Sequence, residues 1–411
     1  MSEGRTSATP RTMIGAYGTW AAGLMGPGPP THSFRSDRWT NVDEWQPAAR
    51  ARLLERIAQP DCGSPPHARV SRQFTYDGLH VEELEWQLPY GPPTRALFLK
   101  PAGAHGPLPA VLALHDHGGN HYFGLRKITR TSDRPHPDMV RHQELAYGGV
   151  GWANEIARRG YAVLVHDAFS FASRRVLAAD LPGYAVHSMM GRVRRIADVD
   201  PSEWHGMDTA PWTVSDEEPA NEIEAYNRFA GPLENLIAKS LFCAGTTWPG
   251  VFSAEDQRAL DYLCAREDVD PDRVGCGGLS GGGLRTVFLA GLDDRIRCAV
   301  CVGFMTTWRD FLLNKCFVHT WMAYVPLLPR ELDFPDIMSL RAPLPTMVLN
   351  TRQDELYTLP EMQAADETLR AVYRKAATPE QYRCSYYDGP HTFDLPMQDE
   401  AFAWFDRWLE A

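Results

Sequence analysis

Five short, mostly apolar runs are the feature that most restricts how this chain can fold. Each run has the length of one strand, and segments with helical spacing separate several of them; the runs are 109–115, 161–167, 273–277, 298–304 and 346–350. Strands with a continuous apolar sequence are typical of parallel sheets, in which helices cover both faces and bury the strands. We therefore predict an α/β fold on a mostly parallel sheet, preceded by antiparallel strands in the alternating stretch 69–100.

Charge and composition restrict the partners that this fold can have. The 411 residues are 44% hydrophobic, and 41 Lys and Arg against 52 Asp and Glu leave a net charge of −11. An acidic chain lacks the field that holds nucleic acid or an anionic membrane. No apolar run approaches the roughly 20 residues that span a bilayer, and the first residues lack the apolar run of a signal peptide. We expect a soluble, cytoplasmic protein that binds neither nucleic acid nor membrane, and homo-oligomer formation stays open.

A GxSxG pentapeptide at 278–282 carries the clearest chemistry, because it lies between a predicted strand and the predicted helix 281–292. A serine at that junction sits on a tight turn with its hydroxyl exposed, and the flanking glycines relieve the crowding. A glycine-rich phosphate loop starting at Gly275 is the alternative. It is disfavoured because Ser280 replaces the third glycine and no acidic residue ends a following strand. We predict that Ser280 is a nucleophile.

A serine nucleophile needs a histidine base and a carboxylate that orients the base. Only His319 and His391 follow Ser280, and His319 lies in a segment typical of a packed helix, so His391 is favoured. The acid in strand–turn–helix serine enzymes precedes the histidine. Asp354 follows the apolar run 346–350 and is favoured over three other carboxylates, Glu355, Asp388 and Asp310.

The loop after the first apolar run, His-Asp-His-Gly-Gly-Asn-His, is suited to stabilising an oxyanion, because its glycines let the backbone approach a ligand. We predict the backbone N–H groups of His117 and Gly281 as donors, with Gly118 as the next choice. The alternative is a zinc site made of His115, His117 and His121. The glycines favour the oxyanion role. The CxxC at 298–301 lies in a strand that turns its thiols to opposite faces, so we expect neither metal nor cofactor.

Together these motifs resemble the α/β-hydrolase superfamily, in particular its dienelactone-hydrolase and acetyl-xylan-esterase-like branch, over about 108–409. The resemblance implies an eight-stranded sheet flanked by helices and a Ser280–His391–Asp354 triad. The chain departs from the family pattern at Asp116, where the simpler pattern has glycine, and in its long insertion. Dienelactone hydrolases use a cysteine nucleophile, so the serine disfavours that activity.

Three parts are predicted along the chain: an N-terminal extension, 1–68, a catalytic domain, 69–411, and a lid insertion within it, 168–250. The lid includes Trp204 and Trp212, and after it a helix is predicted to begin with Ser253 as its N-cap. Four residues are candidates for substrate contact, although ion pairing or a core role would explain each equally well; they are Arg174, Trp248, Phe304 and Trp308.

Three functions are compatible with these residues. The first is a serine hydrolase that cleaves a carboxylic ester of a small or medium-sized molecule through an acyl-enzyme. The second uses the same triad for amide or carbon–carbon bond hydrolysis, or for acyl transfer. The third is a non-catalytic, hydrolase-like binding protein, which complete triad candidates disfavour.

Overall fold

One nine-stranded sheet organises the computed structural model, which describes residues 11–189 and 218–410. The strands are β1 Arg69–Tyr76, β2 Leu79–Trp86, β3 Thr94–Pro101, β4 Leu108–Ala113, β5 Ala162–His166, β6 Val269–Leu279, β7 Ile296–Val302, β8 Thr346–Thr351 and β9 Tyr382–Tyr387. Their order is β1-β2-β3-β5-β4-β6-β7-β8-β9. The six strands from β5 to β9 in this order pair in parallel, and β1, β2 and β3 pair antiparallel, as does β3 with β5. The predicted α/β class with a mostly parallel sheet is confirmed.

The sheet has one strand more than the eight that the resemblance implies. β2 to β9 make up eight strands, and β1 adds a ninth at the antiparallel edge. β1 joins β2 through Asp77 and Gly78 alone, both with positive φ, 47° and 76°. An Asp-Gly pair in this conformation is typical of the tight turn whose twist matches that of a hairpin, so β1 pairs with its neighbour locally.

Helices cover both faces of the sheet. They are α1 Gly18–Gly23, α2 Val42–Ile57, α3 Pro137–Tyr147, α4 Trp152–Arg158, α5 Gly183–Met189, α6 Ala220–Cys243, α7 Trp248–Cys264, α8 Gly281–Leu292, α9 Trp308–Asp310, α10 Phe334–Ser339, α11 Leu359–Lys375 and α12 Leu395–Leu409. The core on one face is formed mainly by α2, α7, α8, α10 and α11, and the core on the other by α4 and α12. Successive strand residues alternate between the two cores, so Cys301 lies in the first and Cys298 in the second, as predicted.

The N-terminal extension packs into the first of these cores. α2 begins after Asn41, whose side chain accepts a hydrogen bond from the backbone N–H of Asp43, and it buries Trp45 and Leu53 completely. Its end docks on α7, where a Cβ at Gly250 would lie 2.2 Å from the carbonyl oxygen of Ile57. Complete burial of a large apolar side chain stabilises the fold by about 2 kcal/mol. The limits 1–68 and 69–411 stay a prediction.

The start of α7 differs from the sequence expectation. Thr247 is its N-cap and accepts a hydrogen bond from the backbone N–H of Gly250 at 3.0 Å. Ser253, predicted as the cap, lies inside the helix and donates to the carbonyl of Pro249 at 2.5 Å. A proline in the first turn suits a helix start, because its missing N–H would be unpaired there anyway.

The predicted lid is described at its two ends only, and its middle part, including Trp204 and Trp212, lies outside the described residues. α6 packs Ile223, Tyr226 and Phe229 against Tyr122 and Phe123 in a third apolar cluster. Tyr122 and Phe123 follow the segment 115–121, which is called the glycine-rich loop from here on. The insertion is therefore joined to the loop that follows β4. In the part of the chain that the structure describes, no helix combines the length and apolarity needed to cross a membrane.

Candidate active site

Ser280 occupies the turn between β6 and α8 with φ 58° and ψ −115°. This conformation is strained for a residue with a side chain, and such strain is often found at functional sites. Its backbone N–H donates to the carbonyl of Val302 at 2.9 Å, which ties the turn to β7. A Cβ at Gly278 or Gly282 would lie 2.2 or 2.1 Å from the carbonyl oxygen of Leu114. The two glycines are therefore required by the close approach of the first parallel strand.

His391 and Asp354 are brought together by the loops that follow β9 and β8. The imidazole Nδ1 donates to Asp354 Oδ2 at 2.6 Å, and the backbone N–H of Leu356 donates to Oδ1 at 2.8 Å. These two bonds hold a fully buried carboxylate in one orientation. Since Nδ1 carries the proton, Nε2 has a free lone pair, and it has no hydrogen-bond partner within 11–189 and 218–410.

Gly303 places this imidazole beside the serine turn. It follows β7 with φ 56°, and a Cβ there would lie 3.0 Å from His391 Cε1 and 3.0 Å from Leu279 Cδ1. A side chain at this position would push the imidazole out of place. The strand that accepts the hydrogen bond from Ser280 thus also provides the space for His391.

Ser280 and His391 line one cavity of about 440 Å³. Its wall combines polar groups from the glycine-rich loop with apolar groups from the segments after β7 and β8; these include His117, Gly118, Gly119, Gly281, Leu284, Phe304, His319 and Tyr357. A cavity of this volume suits a small or medium-sized ligand.

The two predicted oxyanion donors lie next to each other at the edge of this cavity. A Cβ at Gly281 would be only 2.8 Å from the backbone nitrogen of His117. Gly281 is the first residue of α8, so its N–H has no partner within the helix and points along the positive end of the helix dipole. The N–H of His117 donates to no other group among the described residues. The geometry suits stabilisation of a negative oxygen.

This chain has Asp116 where the simpler family pattern has glycine. A buried polar cluster below the glycine-rich loop gives this aspartate its partners. The Asp116 carboxylate accepts hydrogen bonds from the Tyr147 hydroxyl at 2.5 Å and from His142 Nε2 at 3.1 Å. Lys127 Nζ lies 4.0 Å from its other oxygen. Burial alone would raise the pKa of Asp116, but His142 and Lys127 outweigh it and hold this pKa well below its usual range. No sequence pattern indicates Lys127, since a lone lysine between loops has no characteristic spacing.

His117 and His121 meet Glu234, which projects from α6. Their Nε2 atoms lie 2.5 and 3.0 Å from Glu234 Oε1, and Oε2 accepts the backbone N–H of Trp321 at 3.0 Å. Burial would raise the pKa of Glu234, but the hydrogen bonds from the two imidazoles lower it far below its usual value. No sequence pattern indicates Glu234, because it lies in a helix that is distant along the chain.

These three side chains also form the one set of potential metal ligands found within 11–189 and 218–410, with their ligand atoms inside 4.8 Å. The hydrogen bond at His117 disfavours a metal in this arrangement, whereas His121 offers its Nε2, because its Nδ1 donates to the carbonyl of Ser170 at 3.2 Å. The N–H of Gly119 donates to Nδ1 of His117 at 3.0 Å, so Nε2 carries the proton and cannot bind a cation. His115, included in the predicted alternative zinc site, turns away and accepts the N–H of Ala168 at 3.1 Å.

Of the four residues predicted to contact substrate, Phe304 lines the cavity and the other three do not. Arg174 is buried and pairs with Glu255 at 2.6 Å, so it satisfies a buried carboxylate rather than a ligand. Trp248 is a core residue, 1% exposed. Trp308 packs on Phe334, with ring centres 3.9 Å apart, and lines a different, apolar cavity. For these three residues the placement at the substrate site is corrected.

His319, the rejected alternative base, lies on the cavity wall rather than in a packed helix. Its ring stacks on Phe311 with centres 3.9 Å apart, and burial lowers its pKa to about 4. The carboxylate of Asp354 is bonded to His391 instead. The two histidines are therefore distinguished by their partners.

The chain is similar to known proteins both in sequence and in structure. A model of the prolyl oligopeptidase family matches residues 245–341. "Putative hydrolase YtaP" of Bacillus subtilis (strain 168) is 26% identical over 317 residues, which are 76% of this chain and 83% of that protein. A "putative acetyl xylan esterase" from Bacteroides fragilis has a similar structure, with a TM-score of 0.62 at 17% identity over 91% of this chain and 83% of that one. A glucuronoyl esterase from Solibacter usitatus gives a TM-score of 0.60 at 14% identity over 93% and 98%. The chain has the α/β-hydrolase fold that the sequence resemblance implied.

Proposed function

We propose that this hydrolase of the α/β-hydrolase fold is a serine esterase, which cleaves a carboxylic ester of a small or medium-sized molecule. The observation that carries the proposal is the pair of His391 and Asp354, bonded at 2.6 Å. Nε2 of this histidine has no partner among the described residues and lies in the wall of the cavity that also contains Ser280. The esterase names of the two structural neighbours agree with this reaction.

The proposed reaction proceeds through an acyl-enzyme. Ser280 Oγ attacks the ester carbonyl while His391 Nε2 accepts the hydroxyl proton, and Asp354 stabilises the imidazolium that forms. The N–H groups of His117 and Gly281 hold the negative oxygen of the tetrahedral intermediate. The intermediate collapses with transfer of the proton from His391 to the leaving alcohol. Water then attacks the acyl-enzyme by the same steps and releases the acid.

Amide hydrolysis is the second candidate, because the family model that matches 245–341 describes prolyl oligopeptidases. The same groups could cleave an amide, provided that His391 reaches the leaving nitrogen with its proton. Carbon–carbon bond hydrolysis and acyl transfer would use the same residues but have no such support. A panel that contains an ester and an amide of the same acyl group distinguishes the two candidates.

Aryl esters from acetyl to octanoyl, assayed with wild type and Ser280→Ala, test the proposal. We expect turnover to fall by about 10⁶-fold in the variant, which leaves only binding and oxyanion stabilisation. Ser71→Ala is the matched control, because Ser71 is an exposed serine on the edge strand β1. Substantial activity in Ser280→Ala would contradict the proposed nucleophile.

A cytoplasmic location is also proposed. All eight cysteines are free thiols, a state typical of proteins in a reducing compartment. The expectations of no nucleic-acid or membrane partner, and the open question of a homo-oligomer, stay predictions.

A further inference from the structure

Lys127 is a fully buried lysine that bonds to the backbone of the glycine-rich loop. It ends a short 3₁₀ turn, Leu125–Lys127, and its side chain is 0% exposed. Nζ donates to the carbonyl oxygen of Asp116 at 2.9 Å and to that of His117 at 2.7 Å. A lysine is rarely buried without partners, and here the partners are two consecutive peptide groups.

These two bonds contribute to where the next two N–H groups point, together with a bond from the N–H of Asn120 to the carbonyl of His117 at 3.1 Å and one from Nδ1 of His115 to the carbonyl of Asp116 at 2.9 Å. The C=O and N–H of a trans peptide are directed to opposite sides. When the carbonyls of Asp116 and His117 are turned towards Lys127, the N–H groups of His117 and Gly118 are turned away from it. Neither N–H donates to another group within 11–189 and 218–410. The nitrogen of His117 faces Gly281, and both residues line the cavity.

The ammonium of Lys127 is held in an environment that is unfavourable for a charge. Burial lowers the pKa of Lys127 to about 8, so the ammonium is held in a place that disfavours its charge. The ring of Phe171 lies below it, 4.8 Å from Nζ, and Asp116 is the carboxylate beside it. A buried charge of this kind is not favourable for folding by itself, which agrees with a role in the site.

We propose that Lys127 is a positioning residue of the loop 115–121: its ammonium holds the carbonyls of Asp116 and His117 so that the N–H of His117, beside that of Gly281, faces the reacting carbonyl. The proposal rests on the proposed serine esterase function. Lys127 does not touch the substrate; it acts through the backbone that does.

Lys127→Met tests this, because methionine fills nearly the same space without the charge or the donors. Removal of one oxyanion donor typically lowers kcat by 10²–10³-fold, and we expect a fall of about 10² with KM changed by less than about threefold. The rate of phosphonylation of Ser280 by an aryl phosphonate should fall to the same extent, because that adduct places an anionic oxygen between the same N–H groups. Lys100→Met, which removes a peripheral lysine paired with Asp268 at 2.8 Å, is the control and should change neither rate.

Lys127→Gln is the second variant, because its amide can still donate to one of the carbonyls and should lose about tenfold in kcat. Thermal melts accompany both variants. A folded Lys127→Met with kcat within threefold of wild type would overturn the proposal. Loss of folding in both variants would also overturn it, since the role would then be structural. If wild type is neither labelled by the phosphonate nor active on esters, the proposed function fails instead, which distinguishes the two failures.

Discussion

Replacing Gly303 by alanine should displace the imidazole of His391 and lower kcat, while the loss of stability stays small. Gly303 has φ 56°, and a left-handed conformation costs a residue with a side chain about 1–2 kcal/mol. The new Cβ would also lie 3.0 Å from His391 Cε1, which is a few tenths of an ångström too close. The imidazole must move by about that amount. Because a displacement of 1 Å can lower a rate by about 10²-fold, we expect kcat to fall by about tenfold.

The measurement combines ester turnover with a thermal melt. Gly103→Ala is the matched control, since Gly103 also has a positive φ, 78°, and a Cβ there would meet nothing within 4 Å. Both variants should lose a similar 1–2 kcal/mol, seen as a fall of a few degrees in Tm. Only Gly303→Ala should lose activity. Equal activity in the two variants would refute the assigned contact between this glycine and the imidazole of His391.

Three other changes give further tests. Asp354→Asn should lower kcat by about 10⁴-fold, because an asparagine amide would donate to Nδ1 and leave the proton on Nε2; a loss below tenfold in steady-state assays would oppose the orienting role. Arg174→Ala should destabilise the protein by about 3–5 kcal/mol by leaving Glu255 buried without its partner, with KM unchanged in folded protein; a rise in KM with unchanged stability would restore Arg174 as a substrate ligand. Dialysis against a chelator should leave ester turnover unchanged, and activity that is lost and then regained with zinc would revive the site at His117, His121 and Glu234.

The serine turn could be predicted from sequence because its requirements are local. Glycines around Ser280, a strand before it and a helix after it are adjacent in the chain, and the geometry of the turn follows from them. His391 and Asp354 could be predicted because the order of the parallel strands places the loops after β8 and β9 at one edge of the sheet. Chain order was enough to reduce the candidates to a few residues.

Residues that act over long separations could not be found in this way. Glu234 reaches His117 across 117 positions of sequence, and Arg174 reaches Glu255 across 81. Neither helix periodicity nor charge pattern contains such a pairing, so from sequence alone substrate contact and ion pairing are equally open for Arg174. Lys127 is similar, because its burial depends on a loop folding over it. The start of α7 was different: Pro249 was a local signal that favoured Thr247 over Ser253 as the cap.

Mass spectrometry of the protein after reaction with a serine-directed aryl phosphonate would identify the nucleophile itself. We expect one adduct per chain, on Ser280, with esterase activity falling in proportion to the labelled fraction. Nε2 of His391 should be needed to accept the serine proton in this reaction, so a His391→Ala protein should remain unlabelled over the same time. Full esterase activity in protein labelled at Ser280, or an inactivating adduct on another residue, would contradict Ser280 as the nucleophile.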